Sequence, residues 1–334
     1  MRSAMDFVDS GQRAVDWLSR RIDAKGSFGE DCETFFAYYK APLAYATAGR
    51  VIQAERVTEF IAGKFFPGGR FHEGDVYRAA TTSPAYRLAW LALGANSVGA
   101  YDLASRIGDV LLEGQDPQTG AIGYSAVDGG EIDELTAGTT SAGVTALIAL
   151  GRVEAAIRGG RFIARLFADQ PAGTDTLILR RERAGQLAER PTSPKPVSWC
   201  IKLSEPGQIY WCLGYALTVF GKLYMVTRDS EWLDHAEGVY DWISRCNPNV
   251  FANITSGKVA WGASIVYLAS RRPQYAELAE RVGRWFLEVQ TVEGAWVRVP
   301  QYTSLAGQPM PVSLDTTLER SFFMHEIAKA MAVA

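Results

Sequence analysis

The chain has 334 residues, of which 48% are hydrophobic and 21% are charged, and its formal net charge at pH 7 is −3. The apolar content is typical of a globular protein with a large core. The slight negative charge excludes the basic surface by which proteins bind nucleic acid or anionic lipid. We therefore expect a small-molecule substrate, and no nucleic-acid or membrane partner. No segment reaches the ~18 consecutive apolar residues of a membrane span.

The cysteines and the N-terminus indicate a cellular compartment. The four cysteines are widely spaced without a CxxC pair, which is the pattern of neither a disulfide framework nor a common zinc site. The N-terminus lacks the charged segment and apolar run of a secretory signal. We therefore expect a cytoplasmic protein.

Helical periodicity of the apolar residues predicts twelve helices. In chain order they cover 6–22, 33–48, 51–66, 83–96, 99–114, 137–152, 153–168, 208–227, 229–245, 257–271, 273–289 and 315–332. Even-numbered helices are followed by turns of a few residues, whereas odd-numbered helices are followed by about 8 to 40 residues rich in Gly, Pro, Asp and Thr. This alternation is typical of helical hairpins arranged in a ring, because the short turns then lie on one rim and the long loops on the other.

The two sets of helices also differ in composition. Odd helices carry a charged face, as in 277–284, which suits an outer layer exposed to water. Even helices are apolar nearly all round, as in 142–150 and 257–267, which suits an inner ring. We predict an all-α fold, an (α/α)6 toroid of six helical hairpins that forms one domain over 1–334.

The fourth long connection, 170–207, interrupts the helical pattern. Its segments 176–179 and 185–187 flank a charged turn and predict a small β-hairpin, which a Pro-rich arm at 191–196 follows. A lid and a dimer contact are the two roles that we consider for this insertion, so a homodimer is one expected assembly.

A short sequence motif, which we call the glutamine phrase, recurs after the outer helices. Gln290 is followed by Gly294-Ala295-Trp296, and Gln115 is followed by Gly120-Ala121-Ile122. We interpret each phrase as a helix end, a glycine turn and an apolar plug, with simple helix capping as the alternative. The first phrase resembles the QW repeat of the terpenoid cyclase and protein prenyltransferase toroids. The turn at 115–120 is similar to turns in α/α-toroid carbohydrate enzymes such as unsaturated glucuronyl hydrolases.

The sequence departs from the catalytic motifs that this resemblance implies. Class II terpenoid cyclases use an Asp-x-Asp-Asp acid, and the nearest segment here is Asp315-Thr316-Thr317. The zinc-binding families of this fold hold the metal through Cys and His, so only a convergence in space of Cys200, Cys212 and His235 would supply such a site. Sugar epimerases of the fold use paired histidines. We predict no metal and no cofactor.

The resemblance implies that substrates enter at the rim with the long loops, where the inner helices begin. There we expect carboxylates close enough for one to act as a general acid, a tyrosine that donates a proton, and aromatic and cationic side chains that bind substrate. The predicted catalytic residues are Glu33, Tyr38, Asp315 and Glu319. The predicted substrate-binding residues are Tyr86, Arg87, Tyr210, Trp211, Lys258 and Trp261. Helix capping and core packing are the alternative roles.

Two further features concern substrate charge and the histidines. The N-termini of six inner helices, together with Arg87 and Lys258, favour an anionic group on the substrate. His325 lies beside Phe322 and Phe323 on an apolar face, which favours a core histidine over a catalytic base. His72 lies in a loop, where a surface role is favoured.

Three functions agree with these features. The leading hypothesis is a metal-independent biosynthetic enzyme of the cyclase, isomerase or lyase type, which acts on a hydrophobic, anionic small molecule in a central cavity. The second is a carbohydrate-active hydrolase, lyase or epimerase. The third is a non-catalytic ring that binds a ligand or a peptide.

Overall fold

The computed structural model describes residues 2–69, 71, 83–123, 135–182, 185–188, 199–298 and 304–334. Twelve α-helices lie in this part of the chain, in the predicted order. They are α1 (Arg2–Ser19), α2 (Ala41–Thr47), α3 (Val51–Phe65), α4 (Pro84–Ser97), α5 (Tyr101–Glu113), α6 (Ala137–Ala149), α7 (Val153–Ala168), α8 (Trp211–Thr227), α9 (Glu231–Arg245), α10 (Gly257–Ser270), α11 (Pro273–Glu288) and α12 (Met310–Met331). None of the described helices combines the length and the apolar composition needed to cross a lipid bilayer.

The two largest errors in the predicted helix boundaries lie beside prolines. The segment 33–48 is not one helix, because Pro42 cannot continue a helix that arrives from upstream and α2 instead begins afresh at Ala41. A short 3₁₀ turn, Phe35–Ala37, precedes it. The last helix begins at Met310 rather than 315, since a proline in its first turn, Pro311, is compatible with helix geometry.

The predicted difference between inner and outer helices is confirmed. The side chains of α6 are buried from Ala137 to Leu147 without a break, and those of α10 from Gly257 to Tyr267. In contrast, α9 buries only one stripe of residues. The even helices therefore form the core, and the odd helices cover it with one apolar face each.

Two compact units can be distinguished within the chain. Unit 1 comprises Met1–Ala80, Trp90–Ile107 and Gly283–Val333, and unit 2 comprises Thr81–Ala89 and Gly108–Val282. In unit 1, α12 packs against α1 and α2. In unit 2, α8 packs against α6, α9 and α10.

The long fourth connection contains the predicted short β structure, with pairing that the sequence did not reveal. Strand β2 (Thr176–Ile178) pairs antiparallel with β4 (Cys200–Lys202), and β3 (Arg180–Arg181) pairs with β1 (Leu135–Thr136). The predicted partner segment 185–187 contributes one isolated bridge between Leu187 and Arg181. The insertion is therefore tied to the residues that precede α6. The Pro-rich arm at 191–196 lies outside the described residues.

The recurring glutamine phrase fastens one outer helix to another. The Gln290 amide donates to the carbonyl oxygens of Ser10 at 3.0 Å and Gly294 at 2.8 Å, and its oxygen accepts from Arg13 at 2.6 Å. The indole of Trp296 is buried and donates to the carbonyl oxygen of Phe286 at 2.9 Å. The phrase therefore binds the end of α11 to the side of α1, which is more than a helix cap does.

Gln115 repeats this arrangement in unit 2. Its amide donates to the carbonyl oxygens of Gly120 at 2.8 Å and Ala155 at 2.9 Å, and its oxygen accepts from Arg158 at 2.9 Å. The end of α5 is thereby fastened to α7. The two glutamines have equivalent partners, which shows that the sequence repeat is a structural one.

The glycine of this phrase is required by both its conformation and its surroundings. Gly294 has φ +96°, and a Cβ atom there would lie 2.5 Å from the Arg13 carbonyl oxygen. We expect Gly294→Ala to lose ~1–2 kcal/mol of unfolding free energy through the left-handed backbone, and about 1–3 kcal/mol more through the contact. Gly49→Ala is the matched control, because Gly49 has φ +75° and nothing within 4 Å of its Cβ position. Equal losses in urea denaturation would contradict this account.

His325 is a core histidine, as its apolar neighbours indicated. Its Nδ1 lies 2.7 Å from the Ser321 carbonyl oxygen, which can only accept, so Nδ1 carries the hydrogen. Nε2 then accepts from the Gln12 amide at 3.4 Å. Burial lowers the pKa of His325 below its usual 6.5, and a Cβ atom on Gly11 of α1 would meet the ring at 2.4 Å.

The neutral state of His325 makes stability depend on pH. Below about pH 6.5 the unfolded chain takes up a proton that the folded chain refuses, so the free energy of unfolding falls as the pH decreases through this range. We expect His325→Gln to remove this part of the pH dependence, as measured by urea denaturation at pH 7.5 and 5.5. Parallel losses in the variant and the wild type would show that His325 does not contribute.

Candidate functional site

Two of the predicted catalytic carboxylates meet on α12 around a lysine. Asp315 and Glu319 lie one helical turn apart, and their side chains are 9% and 6% exposed. The Lys40 Nζ lies 2.7 Å from the Asp315 Oδ1 and 3.2 Å from the Glu319 Oε1. Lys40 itself is buried where α2 begins. Its positive charge therefore offsets the repulsion between two carboxylates held in a low-dielectric environment.

A second cation completes this group. The Arg320 NH1 lies 2.7 Å from the Glu319 Oε2, and both side chains are buried. We call Lys40, Asp315, Glu319 and Arg320 the Lys40 cluster. The two cations and two carboxylates of this group balance in formal charge, which offsets part of the cost of burying them.

Aromatic rings line the Lys40 side of the cluster. The Lys40 Nζ lies 5.1 Å from the ring centroid of Tyr39 and 5.6 Å from that of Trp90. Trp90 also packs edge-on against Phe322 at 5.6 Å. Such rings attract the ammonium group and limit the access of water, which strengthens the ion pairs.

Glu33, the third predicted carboxylate, pairs with a different lysine. Its carboxylate pairs with Lys64 of α3, and its side chain is 64% exposed. The structure therefore brings together two of the three carboxylates that we expected to act as a group. Exposure and pairing with a surface lysine are typical of a solvated ion pair.

Tyr38 is held by the loop that precedes it. Its hydroxyl accepts from the Phe28 amide at 2.9 Å and lies 3.3 Å from the Ser27 Oγ. The ring packs against Phe28 and Phe60 at centroid distances of 5.1 and 4.9 Å. Burial raises the pKa of Tyr38, so the phenol holds its proton more firmly than usual. These contacts favour a structural role for Tyr38.

Three of the predicted binding residues meet in unit 2. The Lys258 Nζ lies 5.7 Å from the ring centroid of Tyr86, 5.8 Å from that of Trp211 and 5.2 Å from that of Tyr215. We call these four residues the Lys258 cluster. The three rings meet one another edge to face, with interplanar angles of 70° to 85°. Lys258 is 4% exposed, so its ammonium lies buried among aromatic rings.

Close helix packing sets the position of Lys258. A Cβ atom on Gly214 of α8 would lie 2.0 Å from the Lys258 carbonyl carbon, and one on Gly262 of α10 would lie 2.2 Å from the Gly214 carbonyl oxygen. Gly138 of α6 likewise leaves space for the Trp211 ring, which its Cβ would meet at 2.5 Å. Small residues therefore bring three inner helices together at this cluster.

The remaining predicted binding residues also lie in unit 2. Trp261 lies on α10 with its ring centroid 5.9 Å from that of Tyr215, and Arg87 is 1% exposed on α4. The Tyr210 hydroxyl donates to the Glu205 carbonyl oxygen at 3.4 Å, and burial raises its pKa. Core packing, the alternative role that we considered, is consistent with Tyr210.

Sequence reasoning missed Lys40 and Tyr215. Lys40 is the single charged residue of the apolar segment 35–48, a signal that was available but that we assigned to no role. Tyr215 lies one helical turn after Trp211, at the spacing that places two side chains on one helix face. Both omitted residues lie in clusters that also contain predicted site residues, and Arg320 of the Lys40 cluster was likewise not among the predicted ones.

The cysteine and histidine candidates do not converge on a metal site. Within the described parts of the chain, no three His, Cys, Asp or Glu side chains are grouped as metal ligands would be. His235 lies 3.5 Å from Glu231 and against the Phe220 ring. Burial raises the pKa of Cys212 although Lys258 and Arg180 act in the opposite direction. His72 lies outside the described residues.

Comparison with known proteins identifies similar folds and no family. No protein-family model matches the chain, and no curated protein matches it in sequence. D-mannose isomerase has a similar structure, with a TM-score of 0.72, 11% identity and 97% of both chains covered. Cellobiose 2-epimerase from Bacillus thermoamylovorans gives a TM-score of 0.67 and 13% identity, over 97% of this chain and 99% of the other.

A glycoside hydrolase also shares the fold. The family 76 enzyme from a bovine Bacteroides thetaiotaomicron strain gives a TM-score of 0.63 and 12% identity, over 98% of this chain and 78% of its own. The predicted fold class, an α/α toroid, is confirmed. The three neighbours are named as carbohydrate enzymes, none of them is named as a terpenoid cyclase, and their likeness to this chain is one of fold.

The glycine contact beneath Lys258 predicts a contrast between two substitutions. Gly214→Ala forces a methyl group against the Lys258 backbone, and we expect it to lower the free energy of unfolding by about 3 kcal/mol. Gly238→Ala in α9 is the control, because nothing lies within 4 Å of its Cβ position, and it should raise stability by ~0.5–1 kcal/mol. Urea denaturation measures both. A neutral effect at Gly214 would show that α8 and α10 can separate without cost.

Proposed function

We propose that this protein is an enzyme that transfers protons on a sugar, as an isomerase or an epimerase does. The observation that carries the proposal is the Lys40 cluster, in which the buried Asp315 and Glu319 carboxylates share one ammonium group. Isomerisation and epimerisation need a base, an acid and a stabiliser of the charge that develops between them. The cluster contains all three kinds of group.

Each group has a role in this reaction. One carboxylate removes the proton from the carbon next to the carbonyl group of the open-chain sugar, and the electron pair moves onto the carbonyl oxygen to form an enediolate. Lys40 and Arg320 offset the negative charge of that intermediate. In an isomerisation the protonated carboxyl group returns the proton to the neighbouring carbon, and the hydroxyl proton of the carbon that was deprotonated passes to the former carbonyl oxygen. In an epimerisation the other carboxyl group, in its protonated form, delivers a proton to the opposite face of the same carbon.

The solved structures with a similar fold support this class of substrate. They include an isomerase of D-mannose and a 2-epimerase of cellobiose, and both are matched over nearly the whole chain. Sequence identities of 11% and 13% leave the reaction of this chain to be inferred from its own residues.

Glycoside hydrolysis is the second candidate, because it also uses a pair of carboxyl groups. Since Lys40 lies 2.7 Å from one carboxylate oxygen and 3.2 Å from the other, those two oxygens are within about 6 Å of each other. Retaining glycosidases hold their two carboxyl groups ~5–5.5 Å apart. The family 76 glycoside hydrolase among the similar structures agrees with this candidate.

Reactions in deuterium oxide distinguish the two candidates. D-mannose, D-fructose, cellobiose and α-1,6-mannotriose are incubated with the protein and followed by NMR. An isomerase or epimerase exchanges a carbon-bound hydrogen for deuterium and leaves glycosidic bonds intact, whereas a hydrolase releases new reducing ends without that exchange. If none of these sugars changes, the proposal of a carbohydrate enzyme fails.

Variants of the cluster test which residues act. We expect Asp315→Asn and Glu319→Gln each to lower kcat/KM by ~10²–10⁴, because each removes one proton-transfer group. Asp16→Asn is the control, since it also removes a carboxylate from an ion pair but one that is 52% exposed. Turnover should survive EDTA, because Lys40 and Arg320 supply the positive charge at the cluster. Turnover that persists in both Asp315→Asn and Glu319→Gln would rule out this mechanism.

A further inference from the structure

We infer that Thr316 of α12 binds a hydroxyl group of the sugar beside the Lys40 cluster. The presence of a sugar at this cluster rests on the proposed function. The evidence for Thr316 itself is a buried hydroxyl group that no described residue pairs with, at a position among charged side chains.

The Thr316 hydroxyl is a buried polar group without a hydrogen bond. Thr316 is 1% exposed, and its Oγ1 has no hydrogen-bond partner among the residues that the structure describes. A buried hydroxyl in this state destabilises the folded protein, and nearly all buried polar atoms in proteins are paired for that reason. The exception at Thr316 indicates a partner from outside the chain.

Other buried threonines of the helices bond within their own helix. Thr58, Thr145 and Thr218 donate to the carbonyl oxygen four residues earlier, at 2.6, 2.8 and 3.0 Å. This bond is a common way in which a helical threonine satisfies its hydroxyl group. Thr316 has the corresponding carbonyl group, that of Val312 in the first turn of α12, but its hydroxyl does not bond to it. The Thr316 hydroxyl is therefore available to a ligand.

Thr316 lies next to charged members of the Lys40 cluster. It precedes Glu319 by three residues and Arg320 by four, the spacing at which side chains adjoin on one helix face. The Arg320 NH1 donates to the Thr316 carbonyl oxygen at 3.4 Å and to the Glu319 Oε2 at 2.7 Å. Asp315, which pairs with Lys40, directly precedes Thr316. A sugar that reaches the two carboxylates can therefore also reach the Thr316 hydroxyl.

A neutral hydroxyl group suits this position better than an ion does. The two cations and two carboxylates of the cluster balance in formal charge, so a further ion would leave one buried charge without compensation. A threonine hydroxyl both donates and accepts, as a sugar hydroxyl does, and their pairing adds no charge. Because Thr316 adjoins the residues that transfer protons in the proposed reaction, it selects sugars with a hydroxyl group close to the reacting carbon.

Binding of deoxy sugars to the intact protein tests the inference without requiring turnover. Isothermal titration calorimetry first identifies which of D-mannose, D-glucose and D-fructose the wild type binds most tightly, and then compares that parent sugar with its monodeoxy analogues. We expect the analogue without the hydroxyl group that Thr316 binds to have an affinity about 5- to 100-fold lower, because Thr316 then stays unpaired.

Substitutions then assign this penalty to Thr316. Thr316→Val keeps the shape of the side chain without the hydroxyl group, so the penalty of that one analogue should fall to about twofold or less while the other penalties stay as in the wild type. Thr316→Ser, which retains the hydroxyl group, should keep the penalty. Thr317→Val is the matched control, because Thr317 is also buried on α12 but its Oγ1 accepts from the Trp296 amide at 3.5 Å. It should keep every wild-type penalty.

Stability measurements distinguish a substrate contact from a structural one. Because Thr316→Val removes a buried hydroxyl group without a protein partner, its midpoint in urea denaturation should equal or exceed that of the wild type. Thr316→Ala takes its place if circular dichroism shows that Thr316→Val does not fold. A lower midpoint together with unchanged penalties for all analogues would identify a buried water molecule as the partner of Thr316 and overturn the inference.

The outcomes separate this inference from the proposed function. If sugars are converted but every penalty is the same in Thr316→Val and the wild type, the reaction is supported and the Thr316 contact is refuted. If the penalty disappears in Thr316→Val but no sugar is converted, the contact is supported and the reaction is refuted. A wild type that binds none of the sugars overturns the inference, and the exchange experiment in deuterium oxide decides the proposed function by itself.

Discussion

The buried ion pairs of Lys40 are the interaction on which the candidate chemistry depends. Two carboxylates one turn apart on an apolar helix repel each other, and burial in a medium of low dielectric constant increases that repulsion. Lys40 lies against both, and Arg320 contacts the second. Removing one partner from such a group typically costs about 3–5 kcal/mol, because the remaining charges stay buried without compensation. Structural stability and the proposed reaction therefore depend on the same four side chains.

Close packing of the inner helices α8 and α10 positions the Lys258 cluster. Gly214 and Gly262 allow α8 and α10 to approach so closely that any side chain at either position would overlap backbone atoms. The outer helices contribute differently, because each buries only one stripe and leaves its charged face to water. Close contact between the two backbones thus fixes the position of the Lys258 main chain.

Much of the fold could be predicted because its signals are local. Helical periodicity and glycine turns identify α6, α7 and α10 to within a few residues, since both signals lie within the segment itself. The pairing of β2 with β4 could not be predicted, because strand partners are chosen across distant parts of the chain. The same limit applies to the site. The spacing of Asp315 and Glu319 on one helix face is readable, whereas the pairing of Glu33 with Lys64 depends on the neighbours that the folded chain provides.

The bonds of Gln290 have a consequence for the order in which the protein folds during synthesis. Gln290 bonds to Ser10, which precedes it by 280 residues, and α12 packs against α1 in the same unit. After α1 has emerged from the ribosome, nearly all of the remaining chain must be synthesised before Gln290 and α12, its partners, exist. The part of α1 that packs against α12 therefore lacks its native partner until α12 has been synthesised, and contact with chaperones or other nascent chains can compete with folding during that time. Completion of unit 1 waits for the last helix, so a chain truncated before α12 lacks the partner that buries its first.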